Sequence, residues 1–293
     1  MNLNRRLFLA TVLSGFVQMS FKKGRKLCFS TLGCPDWTWE EIINNAEKYG
    51  YKGIEIRGIG AEIDILKSPV FSKAMLKESK RRAEDSGIEI VNINPSSKLH
   101  ETDVQKRKAN IDEVKNYVDL AVELDCPFVR VFPDKFAFKN DKQKSLNLIS
   151  EGLQEVNEYA NGSGVKVLLD CHGDLVLSND IKQVMNEQPA NSSGIIWDYF
   201  NMHYQTEESA ATMVKALKPY IEFVQIKDGS FTNRTTHEYF LPGQGQVPID
   251  KVLKELDKIK YKGFISLEWE KRWHPELPNL EKALPVFSKV VNA

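Results

Sequence analysis

The sequence predicts a single (β/α)8 barrel over residues 26–293, and three observations predict it. Eight short apolar, β-branched runs alternate with eight longer amphipathic stretches, no proline-rich or serine-rich linker divides them, and no glycine-rich phosphate fingerprint follows the first run. Alternation of this kind marks βα units, whose parallel strands need a crossover helix between them. Eight such units in one uninterrupted series close into a barrel of about 250 residues. An open doubly wound sheet would carry its glycine-rich turn directly after the first strand.

The first unit pairs the run Leu27–Thr31 with the amphipathic stretch Trp39–Tyr49, ended by Gly50. Gly53–Arg57 and Ser72–Ser86 follow, closed by Gly87, and then Glu89–Ile93 with Val104–Leu124. A glycine just past a helix takes the left-handed C-cap conformation at no steric cost, a role that also suits Gly263 ahead of the last strand. Phe128–Phe132 with Lys142–Ala160, Val165–Asp170 with Asn179–Asn186, and Gly194–Asp198 with Glu207–Leu217 supply the middle units. The last two are Phe223–Lys227 with Ile249–Ile259, and Phe264–Glu268 with Asn279–Val290. Each strand run is about five residues, the usual length of a buried strand.

Composition narrows the function. Forty basic and forty acidic residues cancel, so no global field attracts a nucleic-acid backbone or an anionic membrane. Hydrophobic residues at 42% supply a core without staples. Cys28, Cys34, Cys126 and Cys171 lack metal-type spacing and are too few for a disulfide framework, so they read as free, buried thiols. Residues 1–22 differ from the rest: Arg5 and Arg6 precede an uncharged run from Leu7 to Phe21, closed by Lys22 and Lys23. This layout resembles a twin-arginine export signal and places the protein in the bacterial periplasm. The run is short for a membrane span, and an uncleaved N-terminal anchor is the alternative.

In such a barrel the chemistry lies where each strand stops at its C-terminal end. The fifth run ends in Asp170-Cys171-His172, the sixth in Asp198, the seventh in Gln225-Ile226-Lys227-Asp228, and the eighth in Glu268-Trp269-Glu270. Carboxylates gathered at one rim repel one another and call for a cation. A hard, oxygen-rich donor set suits Mn2+ or Mg2+ better than a thiolate-type zinc site. The blander reading is that each acid caps a helix or pairs with a nearby lysine; four in phase favour a common site.

The segments Leu168-Leu169-Asp170-Cys171-His172, Trp197-Asp198-Tyr199-Phe200-Asn201, Val224-Gln225-Ile226-Lys227-Asp228, Pro242-Gly243-Gln244-Gly245-Gln246 and Leu267-Glu268-Trp269-Glu270 carry a resemblance. The chain resembles the xylose-isomerase-like TIM barrel superfamily, specifically its sugar phosphate isomerase/epimerase branch, from Lys26 to the C-terminus. That group binds one divalent metal through Glu, Asp, His and Glu on its last four strands. The resemblance puts the metal ligands at Asp170, Asp198, Gln225 and Glu268, with two departures: Asp170 is shorter than the usual glutamate, and Gln225 replaces a histidine.

The resemblance implies a metal-dependent sugar isomerase or epimerase acting on a ketose or keto-sugar through an enediolate, with Glu268 and Asp170 exchanging the proton. His172 or Glu270 would take the second role if Asp170 is too short. It implies substrate hydroxyl contacts from His172, Asn201 and His203. Lys227 either binds an oxyanion or pairs with Asp228, and Arg234 is a hydroxyl or phosphate clamp or a solvated loop charge. On the first half of the rim, Glu55, Arg57, Asn94 and Arg130 either reach the pocket or form an intrabarrel ion pair. Trp37, Trp197, Trp269 and Trp273 offer flat faces for a sugar ring or fill the core. The expected partner is a small carbohydrate, with homo-oligomerisation left open. Rival readings are a lyase or dehydratase of the inosose-dehydratase type and a sugar-binding barrel without catalysis. An abasic-site endonuclease of the same superfamily is disfavoured by only five histidines and no basic excess.

Overall fold

Period-two runs and amphipathic stretches assemble into a closed, all-parallel barrel of eight strands wrapped by helices. The computed structural model describes residues 24–293, and the export signal expected at residues 1–22 lies outside them. The elements in chain order are β1 (Lys26–Ser30), α1 (Trp39–Lys48), β2 (Gly53–Ile56), α2 (Leu76–Asp85), β3 (Glu89–Ile93), α3 (Val104–Glu123), β4 (Phe128–Val131), α4 (Lys142–Ala160), β5 (Lys166–Asp170) and α5 (Ser178–Asn186). They continue with β6 (Ser193–Asp198), α6 (Tyr199–Thr206), α7 (Ala210–Leu217), β7 (Ile221–Ile226), β8 (Asp228–Phe231), β9 (His237–Phe240), α8 (Ile249–Lys258), β10 (Phe264–Leu267) and α9 (Leu280–Asn292). The barrel order is β1-β10-β7-β6-β5-β4-β3-β2, while β8 and β9 form a separate antiparallel hairpin.

Two departures from the predicted elements bear on the rim. The helix expected at Glu207–Leu217 begins later, as α7 at Ala210, and is preceded by an unforeseen helix, α6, which ends where Glu207 turns left-handed at φ 61°. The start of α6 was hidden because Asp198 ends β6 and immediately caps the helix, accepting from the Asn201 N–H. The hairpin β8–β9 was also unforeseen. Its first residue explains it: Asp228 accepts from the backbone N–H groups of Gly229, Gly243, Gly245 and Val247 at 2.7–3.1 Å. A Cβ on Gly245 would lie 2.2 Å from Asp228 Oδ1, so the Pro242–Gly245 turn is glycine-bearing in order to close on that carboxylate. Gly50 and Gly87 have positive φ, but Lys260 at φ 55°, not Gly263, makes the left-handed exit from α8.

Alternation within the strands divides the apolar residues. Leu27, Phe29, Ile54 and Ile56 pack with the helices in the main core. Cys28, Val91, Leu168, Ile196, Phe223 and Phe264 turn inward and form a small separate cluster, the barrel floor. Gly53 lets that floor close, since a Cβ there would meet Val91 and Phe264 at 2.5 and 2.6 Å. Above the floor the inward residues are polar and buried: Ser30, Glu55, Asn92, Arg130, Asp170, Asp198, Gln225 and Ser266. A register shift between Ile54 and Glu55 goes with Val91 and Asn92 both reaching the interior. All four cysteines are free and buried. Among the described residues no helix is long and apolar enough to cross a membrane.

Candidate active site

Gln225 and Lys227 are two residues apart on one strand end, so both point into the barrel, as do Ser266, Glu268 and Glu270 beside them. Lys227 is 2% exposed, and its ammonium lies at the centre of the polar end. Nζ sits 3.0 Å from Asp198 Oδ2 and 2.7 Å from Glu270 Oε1 and also contacts Glu268 Oε2. Burial pulls the Lys227 pKa down, but the three carboxylates outweigh it and hold the ammonium charged well above its ordinary range. Lys227 therefore does not pair with Asp228, which serves the turn.

Each carboxylate has a distinct environment. Burial pushes Asp198 up to about 7 against the pull of Lys227, and its oxygens also accept from the backbone and side chain of Asn201. Burial raises Asp170 to about 6, although Arg130 Nη1 lies 3.3 Å away and draws it down. Burial would raise Glu270 too, but Lys227 and the Tyr239 hydroxyl, which donates at 3.0 Å, hold it below the usual carboxylate range. Glu55, fully buried, is pushed up to about 7 by burial and by Glu268. It accepts from Asn94 Nδ2 at 2.8 Å, Ser266 Oγ at 2.7 Å and Gln225 Nε2 at 2.6 Å.

The divalent ion expected among Asp170, Asp198, Gln225 and Glu268 does not match these donors. Gln225 gives its amide N–H groups to Glu55 and, at 3.2 Å, to Glu268; turning the amide over would set its oxygen against two carboxylates. Asp170 is drawn towards Arg130, and Lys227 fills the space between Asp198 and Glu268. Among the described residues no group of three or more His, Cys, Asp or Glu is arranged to hold a metal. Asp170 Oδ1, Gln225 Oε1 and His172 Nδ1 are buried polar atoms with no partner; the two oxygens accept, the imidazole nitrogen accepts or donates by its tautomer, and the set suits the hydroxyls of a polyol.

The remaining sequence-predicted residues divide. His172 packs 4.9 Å from the Phe132 ring, and burial together with Lys227 keeps it neutral by lowering its pKa. Asn201 is buried on Asp198 as its capping partner. His203 stacks on Tyr199 at 5.0 Å and bonds the Glu208 carbonyl, a structural placement on α6. Arg234 stands away from the site, its side chain 62% exposed beside Glu207. Trp269 alternates outward between Glu268 and Glu270, is 1% exposed and donates to the Pro278 carbonyl, so it is core and not a sugar platform. Trp197 is likewise core, bonded to Met213 Sδ, and Trp273 is exposed. Arg130 forms the intrabarrel ion pair that was one of its two readings, with Asp170, and one partner was missed, Tyr239. Tyr239 sits in a four-residue strand too short for periodicity to reveal. A cavity of about 360 Å3 opens at the opposite end of the barrel, among the floor residues Val91, Phe128 and Phe264, away from this chemistry.

Residues 43–290 match the family model of the xylose isomerase-like TIM barrel. The chain is 24% identical over 238 residues to an inosose isomerase of Halalkalibacterium halodurans, covering 77% of this chain and 80% of that protein. Among solved structures it is similar to an IolI protein with a bound zinc atom, at TM-score 0.76 and 19% identity over 90% of this chain and 96% of that one. It is also similar to a probable 3-DHS dehydratase, AsbF, from Bacillus anthracis, at TM-score 0.74 and 17% identity over 92% and 99% of the two chains. At these identities the structures speak for the fold alone; the match over most of the chain establishes that this protein belongs to the xylose isomerase-like TIM barrel family.

Proposed function

We propose that the protein is a sugar isomerase or epimerase that moves a proton at the carbon beside the carbonyl of a ketose or keto-sugar. The observation that carries this reading is the convergence of Asp170, Asp198, Glu268 and Glu270 on one buried rim already compensated by cationic side chains. One carboxylate takes the C–H proton, an enediolate forms, and a second group returns a proton to the neighbouring carbon or to the opposite face. Glu268 is the base assigned here. Asp170, raised to about 6, is poised to hold and release a proton near neutral pH. Arg130 places positive charge beside the developing oxyanion, and His172 and Gln225 offer hydrogen-bonding atoms to substrate hydroxyls. The Mn2+ or Mg2+ ion implied by the resemblance is left out of this reading, because Lys227 already engages two of the carboxylates that would bind it.

The name of the inosose isomerase relative supports the isomerase reading over elimination. Product analysis with a panel of ketoses, inososes and 3-keto-sugars tests it. An isomer or epimer is expected; loss of water alone would assign a dehydratase, and saturable binding without turnover a sugar-binding barrel. We also propose export to the periplasm on Arg5 and Arg6 and the apolar run behind them. Fractionation of expressing cells should recover wild type outside the cytoplasm and the Arg5→Lys/Arg6→Lys double variant inside; cytoplasmic recovery of both contradicts export.

A further inference from the structure

We propose that the Lys227 ammonium is the resident cation of this barrel and stands in place of a divalent metal. The ammonium has three N–H donors and meets three carboxylates, those of Asp198, Glu268 and Glu270. A buried charge persists only when paired and hydrogen-bonded, and this one is both, at 2% exposure. An entering ion would have to dislodge it from two of the ion's own ligands and leave a buried lysine charge with Glu270 alone of its three carboxylates.

The same substitution accounts for both departures from the family's ligand pattern. With an ammonium at the centre, the residue at 225 need not present a lone pair, and Gln225 instead spends its N–H groups on Glu55 and Glu268, joining β7 to β2 and β10. The residue at 170 need not reach the centre either, and the shorter Asp170 stays on the β4 side against Arg130. The ring of Tyr239 lies 6.0 Å from Nζ and its hydroxyl holds Glu270, so the hairpin β8–β9 covers the lysine from above. Lys227 touches the carboxylates and is a positioning residue: it keeps Asp198, Glu268 and Glu270 together without a metal. This inference does not depend on which sugar is the substrate.

The test measures metal directly. Full-chain protein dialysed against MnCl2 is assayed for bound metal and titrated calorimetrically with Mn2+, for wild type, Lys227→Met and Lys227→Arg. Wild type and Lys227→Arg are expected to retain well under one equivalent. Lys227→Met, which keeps the length and removes the charge, is expected to bind Mn2+ at least about tenfold more tightly than wild type. One equivalent bound tightly by wild type overturns the proposal. Failure of a folded Lys227→Met to gain affinity overturns the role given to Lys227. Should that variant not fold, anomalous diffraction from wild-type crystals grown with MnCl2 decides: no peak between Asp198 and Glu268 is expected, and a peak there refutes the assignment.

Discussion

The two halves of the barrel rim hold their charges differently. On β2 to β4 stand two guanidiniums and the Glu55 carboxyl, and most of their partners are neutral: Arg57 donates to the Ile63 carbonyl and Ser96 Oγ, Arg130 to the Pro95 carbonyl, and Glu55 accepts from Asn94 and Ser266. On β5 to β7 and β10 the charges meet charges, with Lys227 set among Asp198, Glu268 and Glu270. Three contacts bridge the halves: Arg130 to Asp170 at 3.3 Å, Gln225 to Glu55 at 2.6 Å, and Ser266 Oγ to Glu55 at 2.7 Å. Burial first, and then the neighbouring Arg130, lower the Arg57 pKa to about 10. On the proposed function, the first half orients the substrate with positive charge and the carboxylates of the second half transfer the proton.

The largest effect that separates the halves is on turnover. Glu268→Gln should lower kcat by about a thousandfold, whereas Arg57→Gln should act mainly on KM. Comparable kcat losses from both would erase the distinction. Next come the contacts between halves, read by urea unfolding. Arg130→Met leaves Asp170 without its buried countercharge and should cost about 3 kcal/mol; Arg57→Met, losing only neutral acceptors, should cost about 1 kcal/mol.

A smaller effect lies in pH. Glu55 and Asp198 have folded values of about 7, above their unfolded range, so the folded state binds more protons than the unfolded one. Their contribution is present in full below pH of about 4.5 and is lost as pH rises through about 7. Glu270 is shifted the other way and loses its contribution as pH falls below the ordinary carboxylate range. The melting temperature should therefore decline from pH about 4.5 to about 7 and level off above it, and Glu55→Gln should flatten the slope; an unchanged slope would remove Glu55 from the account. The smallest effect is expected for Arg234→Ala, within about 0.5 kcal/mol and without change in KM, because its ion pair with Glu207 is exposed on both sides.

The barrel was legible because eight short apolar, β-branched runs alternate with amphipathic helical stretches in one uninterrupted series. The last-strand acids were legible for the same reason, since each is the point where an apolar run stops. What lay hidden depends on contacts between distant strands. No local pattern says that Lys227 turns to Asp198 and Glu268 instead of the adjacent Asp228, or that Asp228 is spent on the Gly243 and Gly245 amides. Trp269 was misplaced because a tryptophan between two site acids looks like a sugar platform until strand alternation is followed through it. The Asp198 cap hid α6 by ending a strand and starting a helix with one residue.

The central claim is proton transfer at a carbon beside a carbonyl, and solvent-isotope exchange tests it most directly. The protein incubated in D2O with the ketose, inosose and 3-keto-sugar panel should place deuterium at that carbon of at least one compound, seen by NMR, at a rate that Glu268→Gln abolishes. Wild type and Glu268→Gln showing the same exchange, or no exchange with a compound that binds, would contradict it.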